Sequence, residues 1–192
     1  YLFIALRLTS QPMPFGLPRN WGIWIWILCA FSGFVLHSRQ ACLADYYRNI
    51  YMYYQSGNSE LTDSEKILEE KKTIPWGRGW LLKVALFFYG HYTMRQERYT
   101  PEFQRMRSIL NAKYGENIPA TIRETLCRQM YPLLKWANIS TFNTRAIVLY
   151  VSMLCGCPWA YIVFEMTVMS AICFNMRHTH ESICRSMAER ES

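Results

Sequence analysis

Two adjoining stretches decide how this chain folds: WGIWIWILCAFSGFVL (21–36) and HSRQACLADYYRN (37–49). The first carries no charge, and the second brings His37, Arg39, Gln40, Asp45 and Arg48 within a dozen residues. No Pro or Gly follows Gly33 until Gly57, so nothing stops a helix that starts in the apolar stretch from running through the polar one. Helical spacing then stacks His37, Gln40, Ala44 and Arg48 on one face, with Ser38, Cys42, Asp45 and Asn49 beside it.

An apolar stretch of this kind is the core of a bilayer-crossing helix, which needs roughly 20 mostly apolar residues. Trp21, Trp24 and Trp26 suit the headgroup level, where indole rings are enriched. Two further apolar runs, 146–157 and 159–176, read as a tight helical hairpin, divided at Gly156-Cys157-Pro158. YLFIALRL (1–8) reads as the tail of an earlier span, and a signal peptide is not expected, because no basic n-region or cleavage site accompanies it. Mean hydropathy is close to zero only because a long polar segment dilutes the apolar runs.

The net charge of +7 is unevenly placed. Residues 37–145 hold 16 Lys and Arg against 10 Asp and Glu, and Arg177, Arg185 and Arg190 follow the last apolar run. The segment 9–20 contains one basic residue, Arg19, and the hairpin turn contains none. The positive-inside rule therefore puts the long middle segment and the C-terminal tail in the cytoplasm and the short turns outside. The expected organisation is a helix end and a second transmembrane helix with a polar extension over 1–54, a helical cytoplasmic insertion over 55–130, a transmembrane hairpin over 131–176 and a cytoplasmic tail over 177–192. The fold class is all-α: a polytopic transmembrane helix bundle made of the end of one helix plus three further spans, with that insertion.

Within the insertion, 59–72 (SELTDSEKILEEKK) has the charge spacing of a solvated helix. Thr100-Pro101-Glu102 marks a helix start, Gly115 a stop, and Pro119 a second start. The segment 80–89 (WLLKVALFFY) is too short to span and is expected flat on the membrane surface or against the bundle. Residues 132–143 are expected to lead into the 146–157 span without interruption, placing Lys135, Asn138, Thr141 or Phe142, and Arg145 along one stripe.

Two helices would thus each have an oily outer half and a polar cytoplasmic half. Ionisable groups near a bilayer usually face a bundle interior or a wet cavity. The polar halves therefore line a cytoplasm-facing cavity suited to an anionic ligand, or they emerge into water as solvated helix ends. Glu165, deep in the last run, reads as a cavity residue or an interhelical lock. The i,i+2 spacing of His178 and His180 favours a solvated tail over a metal site. The cluster Tyr46, Tyr47, Tyr51, Tyr53 and Tyr54 suits interfacial anchoring and lacks the basic interleaving of a nucleic-acid platform, so no nucleic-acid partner is expected. The seven cysteines show no paired spacing for disulfides or zinc.

HSRQACLADYYRN, then a charged insertion with IPWGRGW, then NISTFNTRAIVLYVSMLCGCPWAYIVFEMTV, resembles bacterial CDP-alcohol phosphatidyltransferases over most of the chain. The resemblance implies a six-helix enzyme of the bacterial cytoplasmic membrane and of phospholipid biosynthesis. Such an enzyme transfers a phosphatidyl or other substituted phosphoryl group from a CDP-alcohol to an acceptor alcohol and releases CMP. It also implies Mg²⁺ or Mn²⁺, held by aspartates of the signature D-G-x-x-A-R followed by G-x-x-x-D-x-x-x-D. That signature is absent from the sequence and would lie upstream of Tyr1, so this part alone should be inactive and no catalytic residue or metal ligand is assigned within it. The substrate-cavity candidates are His37, Arg39, Gln40, Asp45, Arg48, Lys135, Asn138, Asn143 and Arg145, among which Arg39, Arg48, Lys135 and Arg145 would attract phosphate. The partners would be the CDP-alcohol, the acceptor alcohol and the lipid bilayer, and whether two copies pair as a homodimer stays open. The alternatives are a transporter piece whose polar halves line a permeation path, and a non-catalytic membrane scaffold.

Overall fold

The computed structural model describes residues 1–14, 19–56, 61, 63–74, 79–115 and 117–192. The first residues of the expected 59–72 helix and most of IPWGRGW lie outside the described residues. All regular structure among the described residues is helical; the one β-bridge, Pro12 with Asn20, is isolated. The helices are α1 (Leu2–Leu8), α2 (Gly22–Ser56), α3 (Ser64–Thr73), α4 (Trp80–Tyr99), α5 (Pro101–Tyr114), α6 (Ala120–Ile139), α7 (Phe142–Leu154) and α8 (Trp159–Glu191). Two of them, α2 and α8, are long and apolar enough to cross a membrane.

As its lack of breakers predicts, α2 runs on to Ser56, a length of 35 residues or about 52 Å at 1.5 Å per residue. Its ladder is interrupted by a π turn over Phe31–His37, and α8 carries another over Glu165–Met169. Gly33 sits in the first of these turns, where a Cβ would come within 3.0 Å of the Tyr1 ring; the missing side chain is what lets that ring close in.

The hairpin between α7 and α8 closes as the Gly/Pro break predicts. Gly156 takes φ +70°, a conformation a residue with a Cβ rarely adopts. Cys157 N–H donates to Ser152 O (2.9 Å) and Gly156 N–H to Met153 O (3.1 Å), the paired bonds that satisfy the last carbonyls of a helix ending on glycine. Pro101 and Gly115 bound α5, also as expected.

The expectation of one helix through 132–157 is corrected. The helix stops at Ile139, Thr141 is extended (φ −78°, ψ 173°), and a new helix starts at Phe142. Thr141 Oγ1 donates to Asn138 O at 2.6 Å, a local bond that offers the backbone an alternative to the helix. The 13 residues of α7 span about 20 Å, short of the roughly 30 Å of a hydrocarbon core.

The chain divides into two compact units, Tyr1–Ala44 with Trp136–Asn175, and Asp45–Lys135 with Met176–Ser192. In the first, Ile4, Ala5 and Leu8 of α1 bury against Ile25 and Cys29 of α2 and Tyr161 and Ile162 of α8. The entry to α2 is pinned by Trp26 Nε1, which donates to Thr9 Oγ1 (2.9 Å), and by Gly22 N–H, which donates to Thr9 O (3.0 Å). Ile23, Trp24, Ile27 and Phe34 of α2, with Ile147, Tyr150 and Leu154 of α7, turn large apolar side chains outward.

In the second unit, Phe103, Met106 and Leu110 form one buried stripe of α5 at the three- and four-residue spacing of a helix face. Two expectations are corrected here. Tyr46, Tyr47 and Tyr54 are buried rather than interfacial, and His180 is buried rather than solvated. The reason is mutual packing: His180 stacks on Tyr47 with ring centroids 4.2 Å apart, and Tyr46 meets Phe103 edge-on at 5.9 Å. The chain after Met176 is therefore helix packed within this unit, fastened by Glu102 N–H to Glu181 Oε2 (2.9 Å) and by Arg177 Nε to Tyr99 O (3.0 Å). Lys113 meets Glu191 at 3.1 Å, and that carboxylate raises the lysine above its ordinary pKa.

The segment 80–89 belongs to the 20-residue α4. Gly90 packs this helix against α3, since a Cβ there would come within 2.8 Å of Leu68. Ser64 at the start of α3 is held by the Glu97 carboxylate, which accepts from its N–H (2.9 Å) and its hydroxyl. Arg107 clasps the Asp63 carboxylate and Leu61 O just before it.

Candidate functional site

The first unit contains a buried polar network built on Arg145. This side chain and those of Gln40 and Glu165 are almost wholly buried, while His37 is about one-third exposed (38%). Arg145 Nη1 donates to Glu165 Oε1 and to His37 Nδ1 (2.6 Å), Nη2 to Gln40 Oε1 (2.9 Å), and Nε to Ser140 O (3.2 Å). Gln40 Nε2 in turn donates to Ser170 Oγ (3.1 Å) and to the Glu165 carbonyl (3.3 Å).

Each bond has a local cause. Because the helix breaks at Ser140 and Thr141, the Ser140 carbonyl has left the regular ladder and is available to Arg145. A π turn likewise displaces a carbonyl from the i→i+4 pattern, and Glu165 O at the start of the second π turn accepts Gln40. His37 is the last residue of the first π turn. Interruptions in three helices thus converge on one cluster.

A guanidinium can only donate, so the lone pair of His37 Nδ1 faces Arg145 and the ring proton is assigned to Nε2. Glu165 Oε1 lies 3.2 Å from the same ring nitrogen. A planar donor fork that engages several acceptors at once suits arginine and not lysine. One oxygen, Glu165 Oε2, is buried without a hydrogen-bond partner. A cavity of about 460 Å³ adjoins the cluster, lined by His37 together with Tyr1, Trp26, Cys29, Gly33 and Phe34.

Of the residues singled out in the sequence, His37, Gln40 and Arg145 meet here. Arg39 is half-buried in the same unit and Asn143 is exposed. Asn138 is exposed, and its carbonyl is taken up by the Thr141 turn. Asp45, Arg48 and Lys135 belong to the second unit and are exposed, and Asp45 accepts from Tyr92 Oη at 3.2 Å. The single helix expected to carry Lys135, Asn138, Thr141 or Phe142, and Arg145 as one stripe is broken at Ser140 and Thr141. Glu165, read in the sequence as a cavity residue or an interhelical lock and not counted among the substrate-cavity candidates, bonds across from α8 to Arg145 of α7 as a lock would. Ser140 carried no signal, because it contributes through its backbone.

Among the described residues no group of three or more His, Cys, Asp or Glu side chains gathers as a metal site. The Mg²⁺ or Mn²⁺ that the resemblance implies finds no ligand set in these residues. What the network can do is hold α2, α7 and α8 in one arrangement, and present His37 at the edge of an apolar cavity. Comparison with protein-family models, with curated proteins and with solved structures finds no match to this chain.

Proposed function

We propose that the chain is part of an integral membrane CDP-alcohol phosphatidyltransferase of the bacterial cytoplasmic membrane. The reaction is displacement of CMP from a CDP-alcohol by an acceptor alcohol, with residues 55–130 and the C-terminus on the cytoplasmic side. The observation that carries this reading is that the two strings behind the resemblance supply one buried network: His37 and Gln40 come from the first, Arg145 and Glu165 from the second. The all-α architecture and the two membrane-length helices support it.

In this reading the network is the frame of the catalytic unit. It fixes the inner ends of the apolar helix halves, while Arg39, in the same unit, draws anionic phosphate toward the cytoplasmic side. The divalent cation would be held by the signature aspartates, outside this sequence, and would neutralise charge on the diphosphate. A membrane scaffold is the second reading. It is favoured by the engagement of Arg145, whose donors are turned to Glu165, His37, Gln40 and Ser140 rather than toward a ligand.

The test begins with the coding sequence upstream of the Tyr1 codon, followed by reconstitution of its full product in vesicles. With radiolabelled CDP-diacylglycerol, Mg²⁺ or Mn²⁺ and a panel of alcohols, CMP is expected to accumulate well above a protein-free control, and the D-G-x-x-A-R signature is expected upstream. A product without the signature that releases no CMP with any alcohol contradicts the transferase and leaves the scaffold.

A further inference from the structure

Helix α4 is built inside out for a helix in water. It buries Gly90, Thr93 and Gln96, and it turns Trp80, Leu81, Leu82, Val84, Phe87 and Phe88 outward, at 36–67% exposure. A solvated helix buries its large apolar side chains and exposes small and polar ones. An exposed apolar face of this extent marks a surface meant to be covered.

The charge around that face identifies the cover. Among the described residues from Lys71 to Gln96 none is acidic, while Lys71, Lys72, Lys83 and Arg95 are basic. Lys71 Nζ stands 4.4 Å above the Phe87 ring, which places a cation at the edge of the apolar face. A second copy of the same face would bring like charges together. A surface combining apolar depth with negative charge satisfies both features, and Trp80 at the start of the helix suits the headgroup level. We infer that the first half of α4 lies in the headgroup region of a bilayer and recognises anionic phospholipid.

This inference rests on the membrane reading above but not on the transferase chemistry. The full chain carrying Phe88→p-benzoylphenylalanine is reconstituted in vesicles of phosphatidylcholine alone or with phosphatidylglycerol, and irradiated. Phe34→p-benzoylphenylalanine, on the outward apolar side of α2, serves as the reference for membrane insertion. Phospholipid adducts at position 88, several-fold more abundant with phosphatidylglycerol, are the expected result. Adducts at 34 with none at 88, or adducts at 88 to protein, overturn the docking while leaving the span intact. Equal lipid yields in the two vesicles overturn the anionic preference. Absence of lipid adducts at both positions removes the membrane reading, and the docking with it.

Discussion

Arg145→Ala is expected to destabilise the first unit by about 3–5 kcal/mol, the usual cost of leaving one partner of a buried ion pair uncompensated. Glu165 is fully buried, one of its oxygens already lacks a partner, and the other would lose the guanidinium. Gln40 Oε1, His37 Nδ1 and Ser140 O would lose a donor in the same step. The double variant R145M/E165M is the informative companion. It removes both charges, and apolar replacement of a buried pair is often neutral or stabilising by about 1–4 kcal/mol, so it should recover most of the loss. Thermal unfolding in detergent micelles, followed by helical circular dichroism, measures both. If the single and double variants unfold at the same temperature, the ion pair is not what holds this unit.

Phe103→Ala is expected to cost about 3–5 kcal/mol in the second unit, the range for removing a large aromatic side chain from a packed core. Phe103 is fully buried; it meets Tyr46 edge-on at 5.9 Å and His180 at 5.8 Å. Its removal leaves a void at the centre of the cluster that ties α8 to the rest of this unit, so the helix after Met176 should fray together with α5. Hydrogen exchange across Met176–Ser192 reads that loss directly. Phe88→Ala in detergent is the control, since its side chain is two-thirds exposed and makes little core contact. Equal protection in the F103A variant and the parent would mean that the tail is held by its polar contacts through Glu181 and Arg177 alone.

Some elements were legible in the sequence because a single residue type dictates them. The absence of a breaker between Gly33 and Gly57 predicts the long α2, and the Gly156-Cys157-Pro158 break predicts the hairpin. Pro101 and Gly115 mark the ends of α5 for the same reason. The π turns were not legible. Each adds a residue to one helical turn and rotates everything beyond it, so uniform 3.6-residue periodicity misplaces the faces of α2 after His37 and of α8 after Met169. The break at Ser140 and Thr141 was hidden as well, because Thr in a helix is only mildly unfavourable and the local hydroxyl bond that tips the balance is a matter of geometry. Burial of His180, Tyr46, Tyr47 and Tyr54 depends on partners far away in the chain, and amphipathic side chains read alone suit an interface equally well.

Two helices, α2 and α8, are long and apolar enough to cross a bilayer, and the function proposed above further puts the hairpin turn outside and the insertion in the cytoplasm. Cys155 is exposed at that turn, and Ser108 is an exposed position of α5. Single-cysteine variants of the full-length protein, one keeping Cys155 and one carrying S108C, are treated in intact cells with a membrane-impermeant maleimide. Labelling of Cys155 in intact cells, and of position 108 only after permeabilisation, is the predicted result. Labelling of position 108 in intact cells with Cys155 protected would invert the topology, and equal labelling of both only after lysis would remove the span.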